Sequence, residues 1–349
     1  MASMDASAER NAGERLEPTS NQVRKINLAL QGGGAHGAFT WGVLDRLLDE
    51  EKLAFDGLSA TSAGAMNAAA FAYGLTVGGR DGAHKALTDY WKRVSEAARR
   101  GPLQPSPFDR MLGDHKLSWS PIFSMIGFVT RMLSPYQFNP INYNPLREVV
   151  EQSIDFGVLQ RANCPVKLFL SATNVRTGKV KIFAEKEISV DAVMASACLP
   201  TMFHAVEIDG EAYWDGGLGG NPPLIKLAQQ STTADLLLVQ VTPTRDSYVP
   251  ITLAAIDRRL DQIAANAALK AEIAAIAWAQ SHTAPALRLS TIAAEDSVEG
   301  LAQRSSTDLG RGFIRLLHRS GREAAERRLG QGAGVSQPAR ARAAEPVLA

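Results

Sequence analysis

"QGGGAHGAFTWG", residues 31–42, decides the fold, because a glycine run between an apolar stretch and a helical one marks a strand, a tight turn and a helix. The preceding "KINLAL" (25–30) is a short apolar run bounded by charge and glycine, as a buried strand is. After Gly37, the residues Phe39, Val43, Leu44, Leu47 and Leu48 fall on one side of a helix. Gly32, Gly34 and Gly37 satisfy G-x-G-x-x-G, a dinucleotide-binding turn whose amides cradle phosphate. The same amides would serve an oxyanion equally well. The next unit separates the two readings. A dinucleotide fold needs an acid at the end of its second strand for the ribose hydroxyls. Here Asp56 precedes that strand, "GLSAT" (57–61), and the strand runs into Ala60-Thr61-Ser62-Ala63-Gly64. A serine stands where the acid should be.

Composition bounds what else the chain can be. Its 349 residues, 45% apolar, suffice for a sizeable core. Lys plus Arg number 37 against 36 acids, a net charge of +1 that offers no global field for nucleic acid, and none is expected as a partner. Two cysteines, Cys164 and Cys198, make neither a disulfide framework nor a structural zinc site. Residues 1–24 read as a polar, disordered tail without the apolar core of a secretory signal, and 331–349 as a second tail. No run reaches the ~18 apolar residues of a spanning helix. The expected location is cytoplasmic, with contact at a membrane surface.

Between the tails, 25–330 reads as one domain. "VKLFLSATNV" (166–175) and "VKIFAE" (180–185) look like paired strands around the turn "RTGK", and "DLLLVQV" (235–241) like a buried central strand. Ser189 caps a helix of about ten residues ending at Pro200. The part from 250 to 330 reads as helical, opening with a long amphipathic helix that carries Leu253, Ile256, Leu260, Ile263, Leu269 and Ile273 near helical spacing. Alternating strands and helices imply an α/β domain with a mostly parallel sheet. Residues 99–145 break the rhythm. Their apolar cluster, including Trp119, Ile122, Phe123, Ile126 and Phe128, suits a lid or a lipid-facing surface, or a loop packed on its own core.

The chemistry gathers in three places. A strand turning sharply into a helix through small residues has the form of a nucleophile elbow, G-x-S-x-G, which exposes a serine at a helix N-terminus; Ala60 stands at the first glycine and Gly64 at the second. A helix-capping serine is the alternative. The loop Gly32, Gly33 and Gly34 can turn its amides toward a tetrahedral oxyanion. A base is also needed, and none of the six histidines lies in a catalytic context. "AYWDGGLGGNPP" does, with Asp215 ahead of Gly216 and Gly217 after a strand-like run; an ordinary Asp-Gly hairpin is the alternative.

Together these elements resemble the patatin-like phospholipase family, whose pattern is a G-G-G-x-[KR]-G loop, a G-x-S-x-G elbow and a D-G-[GA] turn. They stand here as "GGGAHG" (32–37), "ATSAG" (60–64) and "DGG" (215–217). The resemblance implies a three-layer α/β/α fold and hydrolysis of carboxylic esters of phospholipids or related acyl lipids without metal or cofactor. It implies Ser62 as nucleophile, Asp215 as base and Gly32, Gly33 and Gly34 as the oxyanion hole. Gly37, Ala60, Gly64, Gly216 and Gly217 would support the loops. His36 replaces the usual Lys or Arg. An acyltransferase using the same dyad, or a non-catalytic binder of lipid or polyester granules, are the rival readings.

Overall fold

The computed structural model describes residues 23–100, 133–161, 163–280, 287–303 and 306–330. Trp119, Ile122, Phe123, Ile126 and Phe128 lie outside the described residues, as do residues 1–22 and 331–349 of the two tails.

Among the described residues, eight strands form one sheet. Strand β1 (Arg24–Leu30) lies between β2 (Leu53–Thr61) and β7 (Asp235–Gln240), and β3 (Lys167–Asn174) lies beyond β2, all parallel. β8 (Arg288–Ala293) pairs parallel with β7 at one edge. β4 (Val180–Ala184) folds back antiparallel on β3, and the hairpin β5 (Val206–Ile208) and β6 (Glu211–Asp215) joins β3 through β6. The turn expected at 176–179 forms. Asn174 Oδ1 accepts the amides of Arg176 and Thr177, each at 3.0 Å.

Period-two alternation sorts the strand residues into two cores, as a sheet covered on both faces requires. Leu28, Leu30, Leu58, Leu168, Leu170, Leu237 and Val239 belong to one. It is covered by α1 (Gly37–Leu48), α2 (Ala63–Arg100), α6 (Val190–Ser196) and α9 (Arg311–Gly330), with α4 (Pro145–Ser153) and α5 (Phe156–Arg161) at its border, while the short α3 (Pro135–Phe138) rests on His204 and Ala205. Ala29, Phe169, Leu236 and Leu238 face the other way, against α7 (Leu224–Gln230) and α8 (Leu253–Gln280). The result is the three-layer α/β/α arrangement.

Helices α1 and α9 cross closely because each offers a glycine. A Cβ on Gly42 would strike the His318 carbonyl, and one on Gly321 the Phe39 carbonyl. Charge locks the same contact: Asp45 of α1 receives His318 and Arg322 of α9 and His84 of α2. Burial would raise the Asp45 pKa, but the hydrogen bonds from His318, His84 and Arg322 hold it well below the usual carboxylate range.

Three expectations change. The Ser189 cap forms, its Oγ accepting the Ala192 amide at 3.2 Å, but α6 ends at Ser196, short of Pro200. The C-terminal part is not purely helical, since it contributes β8. In α8, Leu269 and Ile273 face the second core as expected, but Leu253, Ile256, Leu260 and Ile263 are exposed while Gln262 and Asn266 are buried. The polar face turns inward because it has partners there: Gln262 Nε2 donates to Ala302 O at 3.0 Å and Asn266 Nδ2 to Pro243 O at 3.0 Å. Among the described residues, no helix is long and apolar enough to cross a membrane.

Candidate active site

The register of β3 brings Ser62 and Asp215 together. Residues Phe169–Thr173 pair with β4 on one edge, so β2 and β6, which pair with Ser171 and Ala172 respectively, share the other edge. They run toward each other. β2 ends with Thr61 opposite Ser171, and β6 ends with Asp215 opposite Ala172. The residue after Thr61 is Ser62, so the two strand ends meet at the serine and the aspartate.

Ser62 sits in the turn from β2 into α2 with φ 54°, a left-handed conformation uncommon for a residue with a side chain. Its amide donates to Ser196 Oγ at 2.9 Å, and its carbonyl accepts the Met66 amide at 3.2 Å, opening α2. The turn needs small neighbours. A Cβ on Gly64 would strike the Leu30 and Gln31 carbonyls, and Ala60 is fully buried in β2. Ser62 is half-buried, with the positive end of α2 beside it.

Asp215 is buried, and Oδ1 accepts the Gly217 amide at 2.7 Å. Oδ2 has no partner within hydrogen-bonding geometry among the described residues. Burial pushes the carboxyl up from 3.8 to about 6, against the Gly217 amide and the nearby Ser62 hydroxyl, which favour the charged form. The Asp-Gly hairpin belongs elsewhere, to Asp209 and Gly210 between β5 and β6, both at positive φ. Behind the carboxylate, the Cys198 carbonyl accepts the Asp215 amide at 2.8 Å. Burial and the Asp215 charge push the Cys198 thiol up to about 12, which makes it unreactive.

The glycine loop packs directly against the serine: a Cβ on Gly32 would lie 2.7 Å from Ser62 Cβ. Gly34 takes φ 56° and abuts the Ser306 carbonyl, leaving no room for a side chain. The Gly32 amide is engaged by Asn221 Oδ1 at 2.7 Å. Among the described residues, the amides of Gly33 and Gly34 have no hydrogen-bond acceptor. His36, at the position of the family's usual cation, is buried edge-on to Phe313 with ring centroids 5.9 Å apart.

Several supporting residues carry no motif. Gln31 Oε1 accepts the amides of Val241 at 2.9 Å and Thr242 at 2.8 Å, and Thr242 Oγ1 donates to the Gly32 carbonyl at 3.0 Å, tying the loop to the end of β7. Thr61 Oγ1 donates to the Gly220 carbonyl at 3.0 Å and lies 2.6 Å from Ser171 Oγ, holding the 216–223 loop on the strand ends. A Cβ on Gly216 would strike the Ser171 carbonyl, and one on Gly217 would lie 3.1 Å from Asp215 Oδ1. Gly37 packs within 2.9 Å of Ala63 Cβ by the same measure. Among the described residues, no group of acids, histidines and cysteines could hold a metal ion.

The model of the patatin-like phospholipase family matches residues 28–228, more than half of the chain and all three motifs. No curated protein sequence matches. Among solved structures, VipD from Legionella pneumophila aligns at 15% identity and a TM-score of 0.43, over 88% of this chain and 67% of that one. The heterodimeric ExoU-SpcU complex from the type III secretion system of Pseudomonas aeruginosa aligns at 15% identity and a TM-score of 0.35. There the overlap is 88% of this chain and 52% of that one, so this chain spans about half its length.

Proposed function

Because the chain belongs to the patatin-like phospholipase family, we propose that it is a serine lipid acyl hydrolase that cleaves carboxylic esters through Ser62 and Asp215. The observation that carries this reading is the buried, unpartnered Oδ2 of Asp215 beside the hydroxyl of a serine held at positive φ. A buried carboxyl whose neighbouring donor is the serine hydroxyl is placed to take that hydroxyl's proton.

In the first step Asp215 takes the Ser62 proton as the serine oxygen attacks the ester carbonyl. The tetrahedral oxyanion is held by the amides of Gly33 and Gly34, the two in the loop without another acceptor, and by the N-terminus of α2. The Gly32 amide, engaged by Asn221, shapes the loop rather than serving as a donor. Collapse of the intermediate returns the proton from Asp215 to the leaving alcohol and leaves an acyl-serine. Water, deprotonated by Asp215, then attacks that acyl group; as the bond to the Ser62 oxygen breaks, Asp215 returns the proton to that oxygen and the fatty acid is released. A carboxyl with its pKa raised toward neutrality is a better base for a hydroxyl than an ordinary one, yet remains ionised at pH 7.

The substrates proposed are phospholipids and related acyl lipids. The test is fatty-acid release from phosphatidylcholine, together with hydrolysis of a medium-chain nitrophenyl ester, by the wild type, Ser62→Ala and Asp215→Asn. Turnover by the wild type alone is expected. Undiminished turnover by Ser62→Ala would sink the assignment.

A further inference from the structure

Three segments near Ser62 and Asp215 contain no Asp, Glu, Lys or Arg, in a chain where such residues make up 21%; the third is mostly buried and exposes Leu218 and Ile225. The segments are "LSPYQFNPINYNPL" (133–146), "CLPTMFHA" (198–205) and "GGLGGNPPLI" (216–225). The first two are bound into one surface. His204 donates its amide to Asn142 Oδ1 at 3.4 Å, Ala205 donates to the Tyr136 oxygen at 3.2 Å, and the Tyr136 and His204 rings stack at 4.0 Å. The second segment reaches the site through the Cys198 carbonyl on the Asp215 amide, and the third starts at the next residue.

This surface carries large apolar groups in water. Ile141 is 83% exposed, Tyr143 59% and Tyr136 56%, and Leu133, Leu199 and Leu218 are exposed as well. Ile141 is held outward. Asn139 closes the loop beneath it, donating from Nδ2 to Tyr143 O at 3.0 Å and accepting the Tyr143 amide at Oδ1 at 2.9 Å. Single exposed apolar residues are ordinary, but several exposed on segments linked to Asp215 mark an interaction site.

We propose that this rim docks on a zwitterionic lipid surface, with Ile141, Tyr136 and Tyr143 entering the headgroup boundary. Ser62 would then meet an ester of a lipid still resident in the layer; this rests on the hydrolase reading above. The chemistry selects the occupant. The three segments bring no cation of their own to attract anionic lipid, and the one acid packed on them, Glu272, has its carboxylate taken up by the Leu224 and Ile225 amides, so neither sign of charge selects the lipid. A protein partner is ordinarily steered and registered by complementary charge, which this surface lacks. Tyrosine, with an apolar body and a polar tip, suits the boundary between headgroups and acyl chains, and the exposed Asn142 adds a polar side chain beside it.

The experiment uses full-length Ser62→Ala, so that vesicles are not consumed, and measures co-sedimentation with phosphatidylcholine vesicles at low and high salt. Phosphatidylserine is added in a parallel series. Binding is expected, changed less than about twofold by salt or by the anionic lipid. Adding Ile141→Asp and Tyr143→Asp should weaken it roughly tenfold for each residue. The same pair in the wild-type background should leave hydrolysis of a short soluble ester unchanged, which also shows that the variant folds. Binding that requires phosphatidylserine and vanishes in salt would overturn the proposal, as would undiminished binding by the double variant. So would a parent that ignores vesicles but forms a dimer that the double variant dissolves, since the occupant would then be a second copy. Failure of the hydrolase reading looks different: vesicle binding would persist while the wild type turned over no ester.

Discussion

Replacing Asp215 with asparagine should abolish catalysis while stabilising the protein, and the pH at which the stabilisation appears follows from the site. Burial raises the folded-state pKa to about 6 from an ordinary value of 3.8. Below 3.8 the carboxyl is protonated in both folded and unfolded chains and costs nothing. Between 3.8 and about 6 the unfolded chain ionises first, so the wild type loses stability as the pH rises; above 6 the loss is constant. A shift of roughly two pH units corresponds to about 3 kcal/mol. Asparagine carries no such term. Urea unfolding of wild type and Asp215→Asn at pH 4 and pH 7.5 isolates it, because other titrating groups cancel in the difference between the two proteins. Because the unfolded carboxyl is already partly ionised at pH 4, the variant should gain about 2 kcal/mol relative to wild type on going from pH 4 to pH 7.5. In the wild type, kcat/KM should rise with pH and level off with an apparent pKa near 6. A stability difference independent of pH, or activity flat from pH 5 to pH 7, would refute the reasoning.

Other perturbations act on the supports. Gln31→Ala leaves the buried amides of Val241 and Thr242 without an acceptor and should cost roughly 2–5 kcal/mol of stability, measured by denaturant unfolding. Asn221→Ala frees the Gly32 amide beside Ser62 and should lower kcat about tenfold or more with little change in KM, read from steady-state kinetics on a soluble ester. Asp45→Asn weakens the junction of α1, α2 and α9 and should cost roughly 2 kcal/mol at pH 7. That stabilisation is present above the ordinary carboxylate pKa and is lost as the pH falls through the depressed folded value, so the deficit should shrink in strongly acidic buffer. Gly321→Val drives a side chain into the Phe39 carbonyl and should lower the melting temperature by several degrees.

What the sequence made legible was local. The glycine loop, the elbow and the DGG turn each depend on a few adjacent residues, so strand, turn and serine could be read from spacing alone. The meeting of β2 and β6 end to end on one edge of β3 could not, because it depends on pairing between residues far apart in the chain. Asn221, Ser196 and Gln31 were invisible for the same reason: each acts on a loop that only the fold brings near. The irregular "GGNPP" after Asp215 was the one local hint of Asn221. Helix α8 misled differently. Its apolar spacing suggested a core-facing stripe, which holds for Leu269 and Ile273 on the second core, but in its first half hydrogen bonds available to Gln262 and Asn266 outweighed that pattern and left Leu253, Ile256, Leu260 and Ile263 exposed.

The central claim is that Ser62 is a nucleophile activated by Asp215. It is tested most directly by reacting the wild type with a fluorophosphonate and locating the adduct by peptide mass spectrometry, with Asp215→Asn treated alongside. A single adduct on the peptide containing Ser62, formed at least a hundredfold more slowly in Asp215→Asn, is the predicted result, the factor being on the order of that for losing a general base. An adduct on another residue, or no adduct on a protein shown to be folded, would contradict the account.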